Sequence, residues 1–181
     1  MNLLGTHDTE RILSLLGDNG EGEGLENSEL AVKRLTPTQK KVAIRRLKLA
    51  SILQFTVYGV PSVYYGDEAG LEGYHDPFCR RPYPWGRENT ALLAHYRKLG
   101  ALRARNTAFK NGDFAFCEHH GGRVSYLRNG INGDRVFVAA NVESEPWELP
   151  LTGTWKNALT GKRVASPLTI PPETAIVLEN I

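Results

Sequence analysis

Residues Asn2–Arg11, NLLGTHDTER, set the reading of the whole chain. A short apolar run is stopped by Gly5-Thr6, as a buried parallel strand would be, and His7 and Asp8 follow side by side at its tip. Further on, Thr36-Pro37-Thr38-Gln39 offers an N-cap threonine, a proline at the first helical position and a capping-box glutamine. Val42, Ala43, Leu47, Ala50 and Leu53 continue it as an apolar stripe, widened by Ile44, Leu49 and Ile52 and closed by Gly59. VPSVYYG, Val60–Gly66, then reads as a short β-branched and aromatic strand. Strand, long helix and strand make a parallel crossover unit.

Composition narrows the function classes. A chain of 181 residues with 41% hydrophobic and 23% charged side chains is an ordinary globular sequence, large enough for one domain or two small ones. The net charge of +2 lacks the concentrated basic face that nucleic acid requires, and the clusters KKVAIRRLK and RARNTAFK are spaced as solvated helix faces. No apolar stretch reaches the length of a membrane span, and the start does not read as a signal peptide. Cys79 and Cys117 stand far apart with no disulfide framework, which points to thiols in a reducing cytoplasm.

Between these elements, Thr9–Leu16 has room for one or two helical turns, and GDNGEGEGLENSE reads as a glycine-rich acidic surface loop. Its spacing fails the helix-loop-helix calcium pattern. The long loop after Gly66, DEAGLEGYHDPFCRRPYPWGREN, is rich in proline, arginine and aromatics, which favours an ordered functional loop. Thr90–Arg105 is an amphipathic helix with Leu92, Tyr96, Leu99 and Leu102 on one stripe. From Thr107 the pattern changes to DFAFCE, RVSYLRN, DRVFVAANV and TAIVLEN, with HHGG and NGINGD as hairpin signals between them. The expected fold is α/β plus all-β. Residues 1–106 would be the terminal portion of a (β/α)8 TIM barrel, its last two strands and helices, and 107–181 an antiparallel β-sandwich.

In β/α barrels catalytic groups sit at the carboxyl ends of strands, where both His7-Asp8 and Gly66-Asp67-Glu68 fall. LLGTHDTER, followed by GVPSVYYGDEAGLEGYHDPFCRRPYPW, resembles the end of the catalytic barrel in the α-amylase family of glycoside hydrolases. Within it, the DPxCRRPxxW pattern is similar to the neopullulanase, cyclomaltodextrinase and maltogenic amylase branch.

The resemblance implies retaining cleavage of α-glucosidic bonds through a covalent glycosyl-enzyme intermediate, with no cofactor and no metal. Asp8 matches the family's third carboxylate, which holds sugar hydroxyls and favours the oxocarbenium-like state. His7 matches the histidine that binds the same ring, while Asp76 and Arg80 match the pair that grips the next glucose outward. The implied partner is an α-glucan, maltooligosaccharide or cyclodextrin. The family's nucleophile and acid/base lie on earlier barrel strands, so the resemblance also implies a missing N-terminal barrel portion and a chain inactive alone. Asp67 and Glu68 do not replace them, because neighbours on one strand point to opposite faces.

Other residues take plainer readings. Cys79 fits as a packed small residue, and Cys117–Gly122, CEHHGG, as a strand end with a glycine turn. Tyr74, Tyr83 and Trp85 suit either sugar stacking or pinning of their loop, and His75 reads as exposed. The alternative function is a non-catalytic carbohydrate-binding or interaction protein derived from the amylase fold. It would show exposed aromatics on a sandwich face, whereas Trp147 and Trp155 sit near turns.

Overall fold

The computed structural model describes residues 1–181, and the chain divides into two compact units. The first comprises Met1–Ser51 and Val60–Tyr96, the second Ile52–Gly59 and Arg97–Ile181.

In the first unit, β1 (Asn2–Leu3) and β2 (Pro61–Ser62) pair in parallel, with Asn2 opposite Pro61 and Leu3 opposite Ser62. They pair only with each other, so the ladder is shorter than the apolar runs around them. Helix α1 (Ile12–Gly17) follows β1 and buries Ile12 and Leu13. Helix α2 (Asn27–Val32) begins in the last three residues of the stretch that sequence reads as an acidic loop. Its cap explains the miss: Glu29 Oε2 accepts from the Glu26 N–H at 2.9 Å, without the usual Ser, Thr, Asp or Asn at the N-cap. At its other end Arg81 Nη2 donates to the Leu30 and Ala31 carbonyls at 3.0 and 2.8 Å, which satisfies two acceptors a helix terminus leaves open.

Helix α3 (Pro37–Thr56) begins at the expected capping box, with Gln39 N–H donating to Thr36 Oγ1 at 3.3 Å and Thr36 N–H to Gln39 Oε1 at 2.9 Å. Ile12, Leu13, Leu35, Ala43, Leu47 and Leu92 form the core of this unit. Gly17 lets α1 reach α3 closely, since a Cβ there would lie 2.8 Å from that of Ala43. Helix α4 (Thr90–Arg105) is capped by Asn89, whose Oδ1 accepts from the Leu92 N–H at 3.0 Å. Its stripe of Leu92, Tyr96, Leu99 and Leu102 is buried as the spacing predicts.

The second unit is rich in antiparallel sheet. Its strands are β3 (Asp113–His120), β4 (Arg123–Asn129), β5 (Arg135–Asn141), β6 (Trp147–Leu149), β7 (Trp155–Asn157), β8 (Arg163–Val164), β9 (Leu168–Ile170) and β10 (Thr174–Asn180). Six of them form a sheet in the order β3-β4-β5-β10-β7-β8, and β6 pairs with β9. Phe137, Ala139 and Leu178 of the large sheet share a core with Trp147, Leu149, Leu168 and Ile170 of the small one. Trp147 and Trp155, read as lying near turns, are in strands and buried. The end of α3 belongs to this unit, and its last carbonyls are not left open. Arg103 Nη1 donates to Phe55 O and Arg128 Nη1 to Thr56 O, both at 2.9 Å.

Candidate functional site

The turn after β1 is held by its own threonines: Thr6 N–H donates to Thr9 Oγ1 at 2.8 Å and Asp8 N–H to Thr6 Oγ1 at 3.2 Å. That fixes His7 and Asp8 at the tip, with His7 Nε2 3.1 Å from Asp8 Oδ2. The loop after β2 returns to the same place through a 3₁₀ turn, Phe78–Arg80. Arg80 Nη2 lies 3.4 Å from Asp8 Oδ1, and its Nε lies 2.7 Å from Asp76 Oδ1. All four side chains named by the sequence reading therefore form one connected chain, His7–Asp8–Arg80–Asp76, within the first unit.

Two features position this chain. Cys79 is fully buried, and its thiol donates to the His7 carbonyl at 3.1 Å, so the two loops are tied directly beneath the exposed groups. Gly73 allows the loop to fold back on itself, because a Cβ there would come within 2.2 Å of the Phe78 carbonyl oxygen. Arg80 is drawn to its charged form by Asp76 first and also by Asp8. The Asp8 side chain remains 68% exposed, so one face of the carboxylate is open to a ligand.

Behind the site sits a buried ion pair. Arg11 Nη1 donates to the Tyr65 carbonyl and lies 3.3 Å from Asp67 Oδ1, with both side chains almost wholly buried. Its guanidinium stacks 4.1 and 4.5 Å from the ring centroids of Tyr64 and Tyr65. Burial pushes the Asp67 carboxyl up to about 6 against the opposing pull of Arg11. Through Arg11, Asp67 thus ties the turn that follows β2 to the start of α1. Sequence reasoning missed Arg11; the signal was an arginine set directly against the apolar start of α1, with an acid waiting at the other strand end.

The remaining aromatics separate. Tyr74 is buried and donates its hydroxyl to Asp18 Oδ1 at 2.8 Å, so it pins the loop. Tyr83 and Trp85 lie 4.5 Å apart between ring centroids, with Trp85 79% exposed. His75 is exposed and reaches the Asp76 carbonyl at 3.3 Å. No group of three or more His, Cys, Asp or Glu side chains is placed to hold a metal, and no helix is long and apolar enough to cross a membrane.

No family model matches the chain. It is 44% identical over 137 residues to an amylopullulanase of Thermoanaerobacter thermohydrosulfuricus, an alignment covering 76% of this chain and 9% of that protein. It is 32% identical over 174 residues to the cyclomaltodextrinase of Geobacillus thermopakistaniensis, covering 91% of this chain and 25% of that one. The structure also superposes on an acarbose complex of the α-amylase from Geobacillus thermoleovorans. There the TM-score is 0.74 and the identity 27%, covering 97% of this chain and 37% of that one. The chain belongs to the α-amylase family. It corresponds to the C-terminal region of family members, including a sheet-rich domain, and spans a quarter or less of the two relatives named above.

Proposed function

We propose that this chain supplies the sugar-holding side of the active site of a retaining α-glucan hydrolase. β1 and β2, with α3 and α4, would be adjacent staves of a (β/α)8 barrel, and the sheet-rich unit the sandwich that follows it. The observation that carries the reading is the contact chain His7–Asp8–Arg80–Asp76, assembled from two loops at strand ends.

The chemistry follows from the charges. Cleavage of a glucosidic bond builds positive charge on the sugar ring, and an exposed carboxylate under that ring stabilises it more in the transition state than in the ground state. Asp8 is such a group. His7 adds a hydrogen-bonding edge to the same ring. Arg80, fixed between Asp8 and Asp76, presents a planar set of donors to the next sugar outward and offsets the charge of both carboxylates. A retaining hydrolase also needs a nucleophile and an acid/base about 5–5.5 Å apart. Asp76 is engaged by Arg80 and Asp67 is buried against Arg11, so neither serves. Those two roles are assigned to barrel segments other than residues 1–181.

The test is a graft. Residues 1–181 replace the matching region of the Geobacillus thermopakistaniensis cyclomaltodextrinase, and reducing-sugar release from cyclomaltodextrin is measured for the graft and for the chain by itself. The graft is expected to be active and the chain alone inactive. Release by the chain alone, lost on Asp8→Ala, would overturn the division of roles. A folded graft that no longer binds cyclomaltodextrin would overturn the assignment of the sugar-holding residues.

A further inference from the structure

The first unit holds a cavity of about 760 Å³ that contains none of the four side chains His7, Asp8, Arg80 and Asp76. Leu35, just ahead of α3, and Asn89, the cap of α4, both line it, so the positive ends of two helix dipoles lie at its edge. Its charged lining is Arg34, Lys40, Arg81 and Arg87 against one carboxylate, Glu72.

Glu72 is already engaged. Its Oε1 lies 2.6 Å from Lys40 Nζ, and its Oε2 accepts from the Leu35 N–H at 2.8 Å. The three arginines have no carboxylate partner. Arg81 Nη2 and Arg34 Nη1 both donate to the Ala31 carbonyl oxygen, at 2.8 and 3.3 Å, so two guanidiniums converge on one neutral acceptor. Their other acceptors are carbonyls too, those of Leu30 and Glu72 for Arg81 and of Lys33 for Arg34. Burial first, and then the facing Arg34, lowers the pKa of Arg81 from its ordinary value, so each cation disfavours the other. Arg87 is exposed, and its backbone N–H donates to the Pro84 carbonyl at 2.8 Å, in a turn whose two ends both line the cavity.

These observations define the ligand. Like charges gathered without a counter-charge suit an oxyanion with several acceptor oxygens, and a dianion offsets them better than a carboxylate does. The carbonyl contacts leave N–H donors unused on both Arg34 and Arg81. The volume lies within the roughly 300–1,000 Å³ of small-molecule sites, which leaves room for more than a phosphate group. Pro82, Tyr83 and Pro84 supply an apolar wall for the remainder. We propose that this cavity binds a phosphate monoester, its dianionic phosphate on Arg34, Arg81 and Arg87 and its organic body against Pro82, Tyr83 and Pro84. The site does not depend on the α-glucan reading above.

The test is isothermal titration calorimetry of the native 181-residue chain at physiological ionic strength and mildly alkaline pH, where a phosphate monoester is a dianion. Phenyl phosphate should bind saturably, one molecule per chain. Phenyl sulfate has the same shape with one charge fewer, and inorganic phosphate lacks the ring; each should bind about tenfold more weakly or worse. The double variant Arg34→Gln/Arg87→Gln should weaken phenyl phosphate binding by about tenfold or more. Both side chains are exposed, so the variant should fold, with an unchanged circular dichroism spectrum. Arg81 stays in place because it also holds the end of α2. Asp8→Ala should leave the binding as it is. Absence of saturable phenyl phosphate binding, or binding that the double variant leaves intact, would overturn the proposal. Equal affinity for phenyl sulfate or inorganic phosphate would overturn the ligand class, and loss of binding in Asp8→Ala would overturn the location.

Discussion

Arg80 lies 3.4 Å from Asp8, although 72 positions separate them in the chain. Neither loop could fix this contact alone. The threonine turn after β1 presents Asp8, and the folded-back loop after β2 brings Arg80 to it.

In the active graft, Arg80→Ala should raise the Michaelis constant for cyclomaltodextrin by about one to two orders of magnitude, as expected for losing hydrogen bonds from a charged donor. Turnover should change much less, because that grip acts on the ground and transition states alike. Arg80→Lys should recover little, since a point charge does not reproduce a guanidinium fixed between two carboxylates. Steady-state kinetics of the three proteins checks this.

Gly73→Ala should destabilise the first unit, at or beyond the top of the ~1–3 kcal/mol range for overpacking. The atom in the way is the Phe78 backbone oxygen at 2.2 Å, so no side-chain rotation relieves the clash. The comparison is a urea unfolding series against Gly86→Ala, where an added Cβ meets nothing within 4 Å. Gly86 has φ +72, so its substitution carries only the local backbone cost.

The buried Arg11–Asp67 pair predicts a pH dependence. Asp67 titrates near 6 when folded and near 3.8 when unfolded, so between those values the folded state binds the extra proton. Its contribution to stability is therefore full below about 3.8 and is lost as the pH rises through about 6. Denaturation midpoints of the first unit should show this fall in the wild type. The Asp67→Asn variant, with nothing to titrate there, should be flatter across the same window.

The two units should differ in hydrogen exchange. β1 and β2 form a ladder of two residues each and pair with no other strand, while Met1, Leu3, Val60, Val63 and Tyr65 are exposed apolar side chains around them. β5 is flanked on both sides within a six-stranded sheet. Amides of Val136–Ala140 should therefore be protected well beyond those of Leu47–Ser51, and the chain should self-associate as concentration rises. Equal protection in a monomer would show the first unit to be self-sufficient.

Much of this was legible in the chain, for identifiable reasons. The capping box at Thr36 and the stripe from Leu92 to Leu102 obey local rules, and both helices form where those rules put them. The long strands β3, β4, β5 and β10 carry enough branched and aromatic residues to be read directly. Strands β6 to β9 are two or three residues long, too short for any period to register, and are held by the core they share. Helix α2 hid behind a glutamate cap. At the site, His7, Asp8, Asp76 and Arg80 were named through their motifs, but no local rule foretells that Cys79 would hold the His7 carbonyl or that Arg11 would be buried. Those are long-range contacts, visible only once both loops are in place.

The central claim is that Asp8 stabilises charge on the sugar ring, and the most direct measurement is the turnover of Asp8→Asn in the active graft. The substitution keeps size and shape and removes the charge at an exposed position, so folding should be unaffected by circular dichroism and thermal midpoint. Turnover should fall by about two orders of magnitude or more, with the Michaelis constant changing far less. Turnover within about twofold of the parent graft, a difference under ~0.5 kcal/mol in the barrier, would contradict the account.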